Sequence, residues 1–149
     1  MRPLCTILSL PNGEKLSKIV KLPFESTSGT LQLCSVHCKA TISTKDSRRA
    51  PKVPVKGACR RKKIITAYVT VESPDGAHAR EVPVASFAIP MTTSSVGPAT
   101  FAFCAAMDLR FQAETVGVRC GVIDIGDDGP AVENCSVEAV FHGVVSPIN

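Results

Sequence analysis

The chain has 149 residues, of which 44% are hydrophobic and 20% charged, so it is long enough for one buried core and too apolar for wholesale disorder. It has no Trp and one Tyr, and its richness in Val, Ala, Ser and Thr favours thin, packed β layers over helices. No apolar run approaches the ~20 residues that span a bilayer. We therefore predict one β-rich domain over 1–149, without a transmembrane segment.

The first predicted strands cover 4–10, 16–24 and 30–42. Pro-Asn-Gly and Glu-Ser-Thr-Ser-Gly separate them, and such clusters mark turns between strands. The first apolar run is too short for a signal-peptide core, so we expect a cytoplasmic or nuclear protein that is not secreted. The seven cysteines are an odd number in a chain without an export signal, which favours free thiols over a disulfide framework.

The stretch 44–63 is predicted to be a long exposed loop, because Pro51 and Pro54 disfavour strand and helix alike. Residues 45–63 hold nine of the 17 Lys and Arg residues, and Asp46 is the only acid among them. This segment therefore carries +8, while eight basic and twelve acidic residues elsewhere leave the remainder at −4. Polyanions are the favoured partners of such a charge distribution.

The basic side chains of this segment are predicted to bind phosphate groups. The segment contains no aromatic residue on which bases could stack, so binding should be led by phosphates and weak in sequence preference. We expect a nucleic acid as the partner, RNA before DNA, with an anionic membrane surface as the alternative. The predicted anion-binding residues are Lys45, Arg48, Arg49, Lys52, Lys56, Arg60, Arg61, Lys62 and Lys63.

The same segment resembles a bipartite nuclear localisation signal, with Arg-Arg at 48–49 and Arg-Arg-Lys-Lys at 60–63, ten residues apart. Import receptors read such signals as extended chain in acidic grooves, which suits an exposed loop that contains prolines. The resemblance implies an alternative function, in which the protein is a nuclear interaction module, either a regulator or a suppressor, and the loop is its import signal.

The second half of the chain begins with a predicted hairpin. Apolar residues alternate over 65–71, and Ser-Pro-Asp-Gly at 73–76 is a typical turn sequence. The partner strand is predicted over 80–89, where Pro83 removes a ladder donor and therefore indicates a sheet edge or a bulge.

Three further segments complete the predicted fold. Six apolar residues alternate over 101–111 and predict a strand, with a helix over 102–114 as the alternative, since Ala, Met and Leu favour helices. A buried strand is predicted over 118–125, and a last strand over 137–145 with Val137, Ala139, Phe141 and Val145 on one face. About eight short strands without βα alternation predict an all-β sandwich, jelly-roll or Greek-key-like in its connections, or else a small barrel.

Metal binding and catalysis are two further functions that the cysteine and histidine residues could support. Cys34, His37, Cys38 and Cys59 have the residue types of a zinc site. On a strand, however, Cys34 and Cys38 would lie about 13 Å apart and His37 would point to the opposite face. We therefore predict structural thiols, no bound metal and no cofactor. No nucleophile setting or phosphate-binding glycine motif occurs, so we predict no enzyme activity, with a small metal or thiol enzyme as a third hypothesis.

Taken across the whole chain, a sandwich rich in small residues with a basic segment resembles small viral structural proteins, either coat or matrix proteins. The resemblance implies copies that self-associate through faces or edges, for example at the Pro83 strand or the N-terminal segment, and that present the basic loop to nucleic acid. Coat proteins usually carry their basic arm at the N-terminus, whereas the basic segment here is internal. A matrix role that faces anionic lipid is therefore equally admissible.

Overall fold

A computed structural model describes residues 1–24, 29–44, 62–90, 98–112, 114–125 and 132–147. This part of the chain forms eight strands and contains no helix, so the predicted all-β fold of about eight strands is confirmed. The strands are β1 (Arg2–Leu10), β2 (Val20–Lys21), β3 (Gly29–Thr44), β4 (Lys62–Glu72), β5 (Ala79–Pro90), β6 (Pro98–Phe111), β7 (Thr115–Ile125) and β8 (Val132–Pro147).

The strands form two antiparallel sheets of four. Sheet A has the order β1-β8-β3-β6 and sheet B the order β2-β7-β4-β5. Strand β1 pairs with β8, β2 with β7, β3 with β6 and β4 with β5. This pairing arises when one long antiparallel ribbon is rolled up so that its two halves pack face to face, which is the jelly roll. The jelly-roll connection is therefore the predicted alternative that the chain adopts.

The core lies between the two sheets and follows the alternation of the sequence. In β4 the inward residues of the predicted strand over 65–71 are all buried. In β3 the alternation changes phase at a bulge at Cys34, so that Leu33 before it and Val36 after it both face the core. Completely buried side chains from both sheets include Leu31, Leu33, Val36, Ile65, Val118 and Phe141.

The predicted hairpin joins β4 to β5. Gly76 has a φ of +71°, and its N–H donates a hydrogen bond of 2.9 Å to the Ser73 carbonyl, as a tight turn requires. Pro83 was predicted to mark an edge or a bulge, and both are present: β5 is an edge strand of sheet B, and its register shifts where Ala67 and Tyr68 pair with Ala85 and Pro83.

Three predicted boundaries are corrected by the structure. The strand predicted over 16–24 is reduced to the two residues of β2, although 15–22 still follows β7 through backbone hydrogen bonds. The loop predicted over 44–63 is shorter, because Thr44 ends β3 and β4 begins at Lys62. The alternative of a helix over 102–114 is wrong, since β6 extends to Phe111 and β7 begins at Thr115.

The strand ends define one end of the sandwich, which we call the loop end. There Thr44 pairs with Val132, and Lys62 pairs with both Pro90 and Ile125. The strand ends that precede or follow residues 45–61, 91–97 and 126–131 therefore lie side by side at this end. The predicted basic segment is attached at this end.

Candidate polyanion-binding end of the sandwich

The basic segment is attached to a central strand of each sheet. It leaves sheet A at the end of β3, which lies between β8 and β6, and enters sheet B at the start of β4, which lies between β7 and β5. Seven of the nine predicted anion-binding residues lie outside the described residues: Lys45, Arg48, Arg49, Lys52, Lys56, Arg60 and Arg61. The described part therefore places the two anchor points and the last two lysines.

Polar side chains hold the loop end together where the basic segment leaves β3. The Asn12 side chain accepts a hydrogen bond of 2.9 Å from the Cys135 N–H and donates one of 2.6 Å to Asn134. The Asn134 amide in turn donates a hydrogen bond of 3.0 Å to the Ser43 hydroxyl. These hydrogen bonds link the end of β3, one residue before Thr44, to the start of β8 and to the connection that follows β1.

The last two lysines of the basic segment have different environments. Lys62 is exposed, whereas Lys63 points inward and is only 8% exposed. Its ammonium group lies 2.9 Å from Oδ1 of Asp124, its cross-strand partner in β7. Because Lys63 is neutralised by this ion pair, it differs from Lys62 in having no free charge to offer a phosphate group.

The Lys63–Asp124 ion pair lies beside Cys135 at the loop end of the core. Burial raises the pKa of the Cys135 thiol, while the nearby Lys63 ammonium lowers it and the Asp124 carboxylate raises it. The inward position of Lys63 follows from parity, because Ile65 and Ala67 lie on the same face of β4. Sequence analysis missed this role because it assigned Lys63 to the loop, although the alternation over 65–71 extends back to it.

The strand position of Lys62 and Lys63 also bears on the import-signal alternative. The backbone of β4 pairs with β5 at Pro90 and Ile89 and with β7 at Ile125 and Asp124. An import receptor binds its signal as extended chain, and the second basic cluster of the predicted signal ends within this paired strand. The other two residues of that cluster, Arg60 and Arg61, lie outside the described residues.

The described members of the possible zinc set, Cys34, His37 and Cys38, do not converge. Cys38 faces the core, where burial and, secondarily, Cys120 raise its pKa to about 12, whereas His37 is exposed on the outer face of β3. Cys34 lies at the bulge, and Cys59 falls outside the described residues. Among the residues that the structure describes, no group of three His, Cys, Asp or Glu side chains could hold a metal ion.

A second polar cluster lies on the outer face of sheet A. The Cys104 sulfur is 3.6 Å from Nε2 of His37, and the ring of His142 meets the His37 ring edge-on with 5.1 Å between centroids. His37 and Cys104 border an open groove of about 250 Å³, which is further lined by Lys39 and Glu138. Sequence analysis could not find this cluster, because only the strand register brings His37 opposite Cys104.

No protein-family model and no curated protein matches the chain. Solved structures that resemble it include dimeric latent PorU from Porphyromonas gingivalis, with a TM-score of 0.47 and 10% identity over 97% of this chain. Another is a chain in the structure of the Gx strain of infectious bursal disease virus, with a TM-score of 0.43 and 10% identity over 99% of this chain. The chain spans 13% and 35% of the lengths of those two chains, respectively. Within the described residues, no helix is long and apolar enough to cross a membrane.

Proposed function

We propose that the protein is a non-enzymatic structural protein of the viral coat or matrix type, which assembles and binds nucleic acid through residues 45–62. One observation carries the proposal: the segment 45–62, which holds eight of the 17 Lys and Arg residues, connects central strands of the two sheets at one end of the sandwich. A scaffold that fixes both ends of a basic segment limits the entropy lost on binding.

The chemistry of the segment suits phosphate groups. Arg side chains can bind a phosphate bidentately, and Lys side chains act as point charges. Each neutralised phosphate releases counterions, so a segment that contacts about six phosphates on duplex DNA should give a log–log salt slope near −5. RNA is the proposed ligand, and we expect affinity to depend weakly on its sequence.

The test is fluorescence anisotropy with a labelled RNA of mixed sequence and its duplex DNA counterpart, each at two salt concentrations. Replacing Arg48, Arg49, Arg60, Arg61 and Lys62 with Gln should raise the dissociation constant by on the order of 100-fold. The matched control also replaces five basic residues, all of them exposed on the described surface, and should change the dissociation constant only slightly: Arg2, Lys18, Lys21, Lys39 and Arg80. Equal losses in both variants would contradict a localised site, and absence of binding at low salt would contradict the nucleic-acid proposal.

Two alternatives use the same segment with other polyanions. Vesicles with anionic lipid test a matrix-type membrane partner, because juxtamembrane basic residues each contribute about 1 kcal/mol near such a surface. The import-signal alternative is supported by the ten-residue spacing of its two basic clusters. Nuclear accumulation of a reporter fused to residues 45–63 would favour it, and cytoplasmic retention would leave polyanion binding as the function.

A further inference from the structure

Strand β6 is the longest edge strand of the sandwich. It comprises 14 residues and, among the strands that the structure describes, pairs with β3 along one side only. The other edge strands are β1 with nine residues, β2 with two and β5 with 12. Unpaired backbone N–H and C=O groups along such an edge are a template for a further strand.

The inward face of β6 is incompletely covered. Phe101, Phe103, Ala105, Met107 and Leu109 pack against the core, yet each is only half-buried. Across the gap between the sheets, Phe103 stacks on Phe87 of β5 with 5.0 Å between ring centroids. Strand β6, which has the most regular alternation in the sequence, therefore keeps its inward apolar side chains partly exposed to solvent.

The two edges that border this gap differ in their protection against pairing. Both strands contain a register shift and two exposed charged residues, Arg80 and Glu81 in β5 and Asp108 and Arg110 in β6. Only β5, however, has a proline within the strand, Pro83, which removes a ladder donor and opposes the addition of a strand. Strand β6 has no proline after Pro98 and presents small residues at 102, 104 and 106 on its outer face. Its edge is thus suited to accept a strand, whereas the β5 edge is not.

We propose that β6 pairs antiparallel with β6 of a second copy of this chain, about a two-fold axis at Ala105. The inference rests on the assembly part of the proposed function and names its interface. Such an interface is isologous, so the same edge serves both copies. The two A sheets would then form one continuous sheet of eight strands.

The register follows from packing and charge. With Ala105 on the axis, residues 99–111 of both copies overlap, and Phe101 and Phe103 lie opposite Leu109 and Met107 of the second copy. A slip by one residue would place inward side chains opposite outward ones. The outer face carries one acid and one base, Asp108 and Arg110. Nε of Arg110 lies 3.3 Å from Oδ1 of Asp108.

These charges are compatible with self-pairing. In the proposed register Asp108 lies opposite Ala102, and Arg110 lies opposite Thr100, so no two like charges meet across the axis. The edge has no net charge that would select an acidic or a basic partner instead. A second copy therefore supplies both the backbone partners and the apolar row that would cover the half-buried side chains.

The first test compares two alanines that are both half-buried on the edges of the same gap, Ala105 in β6 and Ala85 in β5. Light scattering should give a dimer mass for the wild type without nucleic acid. Ala105→Lys should raise the dimer dissociation constant by on the order of 100-fold, since the two introduced ammonium groups meet at the axis. Ala85→Lys should leave the dimer mass unchanged. A monomeric wild type, or equal effects of both substitutions, would overturn the proposal.

A cross-link fixes the register even if the lysine variants fold poorly. In a background in which Cys5, Cys59 and Cys104 are replaced by Ser, the exposed Cys5 and Cys104 thiols cannot form the cross-link. There Ala105→Cys places two thiols directly opposite each other, within the 4.4–6.8 Å between Cα atoms that a disulfide accepts. Mild oxidation should give covalent dimers of this variant, and Thr100→Cys in the same background should give none. Covalent dimers from Thr100→Cys alone would overturn the register. Loss of RNA binding with an intact dimer would contradict the nucleic-acid proposal alone, and RNA binding by a monomer would contradict this inference alone.

Discussion

The ammonium group of Lys63 lies 2.9 Å from the Asp124 carboxylate, and the Lys63 side chain is only 10% exposed. The residue that ends the basic segment in the sequence is therefore part of the sandwich. Lys62, its neighbour, is exposed. At the start of β4, Lys63 therefore belongs to the structure of the sandwich, whereas Lys62 is the last residue of the proposed binding segment.

Replacing Lys63 with Met should lower the free energy of unfolding by about 1–2 kcal/mol, because Asp124 would lose its partner but could still turn towards solvent. Lys62→Met should change it by less than about 0.5 kcal/mol. Urea denaturation measures both. RNA affinity should respond in the opposite order, with the larger loss for Lys62→Met. Equal destabilisation by the two substitutions would contradict the assignment of Lys63 to the structure.

The thiols should react in two classes. Cys5 and Cys104 are exposed, while Cys38 and Cys120 are buried with pKa values raised by burial to about 12 and 11. In the reaction with a chromogenic disulfide reagent at neutral pH, the fast phase of the Cys5→Ser/Cys104→Ser variant should therefore be two thiol equivalents smaller than that of the wild type. Cys38→Ser should remove none of the fast phase. Rapid reaction at Cys38 in the folded protein would contradict the packing of the core.

The two buried thiols should make stability fall at high pH. Their folded pKa values of about 12 and 11 lie above the ordinary value of 9.0, so the unfolded chain releases these protons first as the pH rises. Stability should therefore decline above pH 9, by at most about 1.4 kcal/mol per pH unit for each thiol. Urea denaturation from pH 8 to 11 measures the decline, and Cys38→Ala should flatten it. An unchanged slope in that variant would count against the assignment.

Asp75 in the β4–β5 turn should titrate at a lower pH than an ordinary aspartate. The Ser73 hydroxyl and the Ala77 N–H both donate hydrogen bonds to its carboxylate, at 2.6 and 3.0 Å, and lower its pKa from 3.8. The stabilisation is present above the unfolded pKa and is lost as the pH falls through the folded one. NMR titration of the carboxyl carbon measures the pKa, and Ser73→Ala should raise it. An identical value in that variant would contradict the contribution of the hydroxyl group.

Gly143 should not tolerate a side chain. A Cβ atom there would lie 2.6 Å from the Gln32 carbonyl oxygen, where the bulge of β3 brings its backbone close to β8. Gly143→Ala should therefore destabilise the fold by about 1–3 kcal/mol. In Gly121→Ala the nearest atoms are 3.2 Å away and one is a methyl group of Leu16, so the loss should be smaller. Thermal denaturation compares the two, and the reverse order would contradict the strand pairing.

The sequence by itself determined the all-β class and most of the strands. Alternation over 65–71 and 101–111 sets which side chains face inward, and Pro83 with the turn at 73–76 sets the hairpin and its edge. These signals are local, since strand periodicity and turn chemistry depend on residues that are close in the chain. The charge of 45–63 is likewise a property of the sequence, although the identity of its ligand stays a prediction.

Only the tertiary structure decided which residues meet. The pairing of Lys63 with Asp124 and of His37 with Cys104 joins residues that are 61 and 67 positions apart. The half-buried row of β6 depends on its place at the end of sheet A, which the alternation itself does not reveal. Strand order and register result from packing two whole sheets against each other, so a local pattern shows that a strand forms but not which strands will lie beside it.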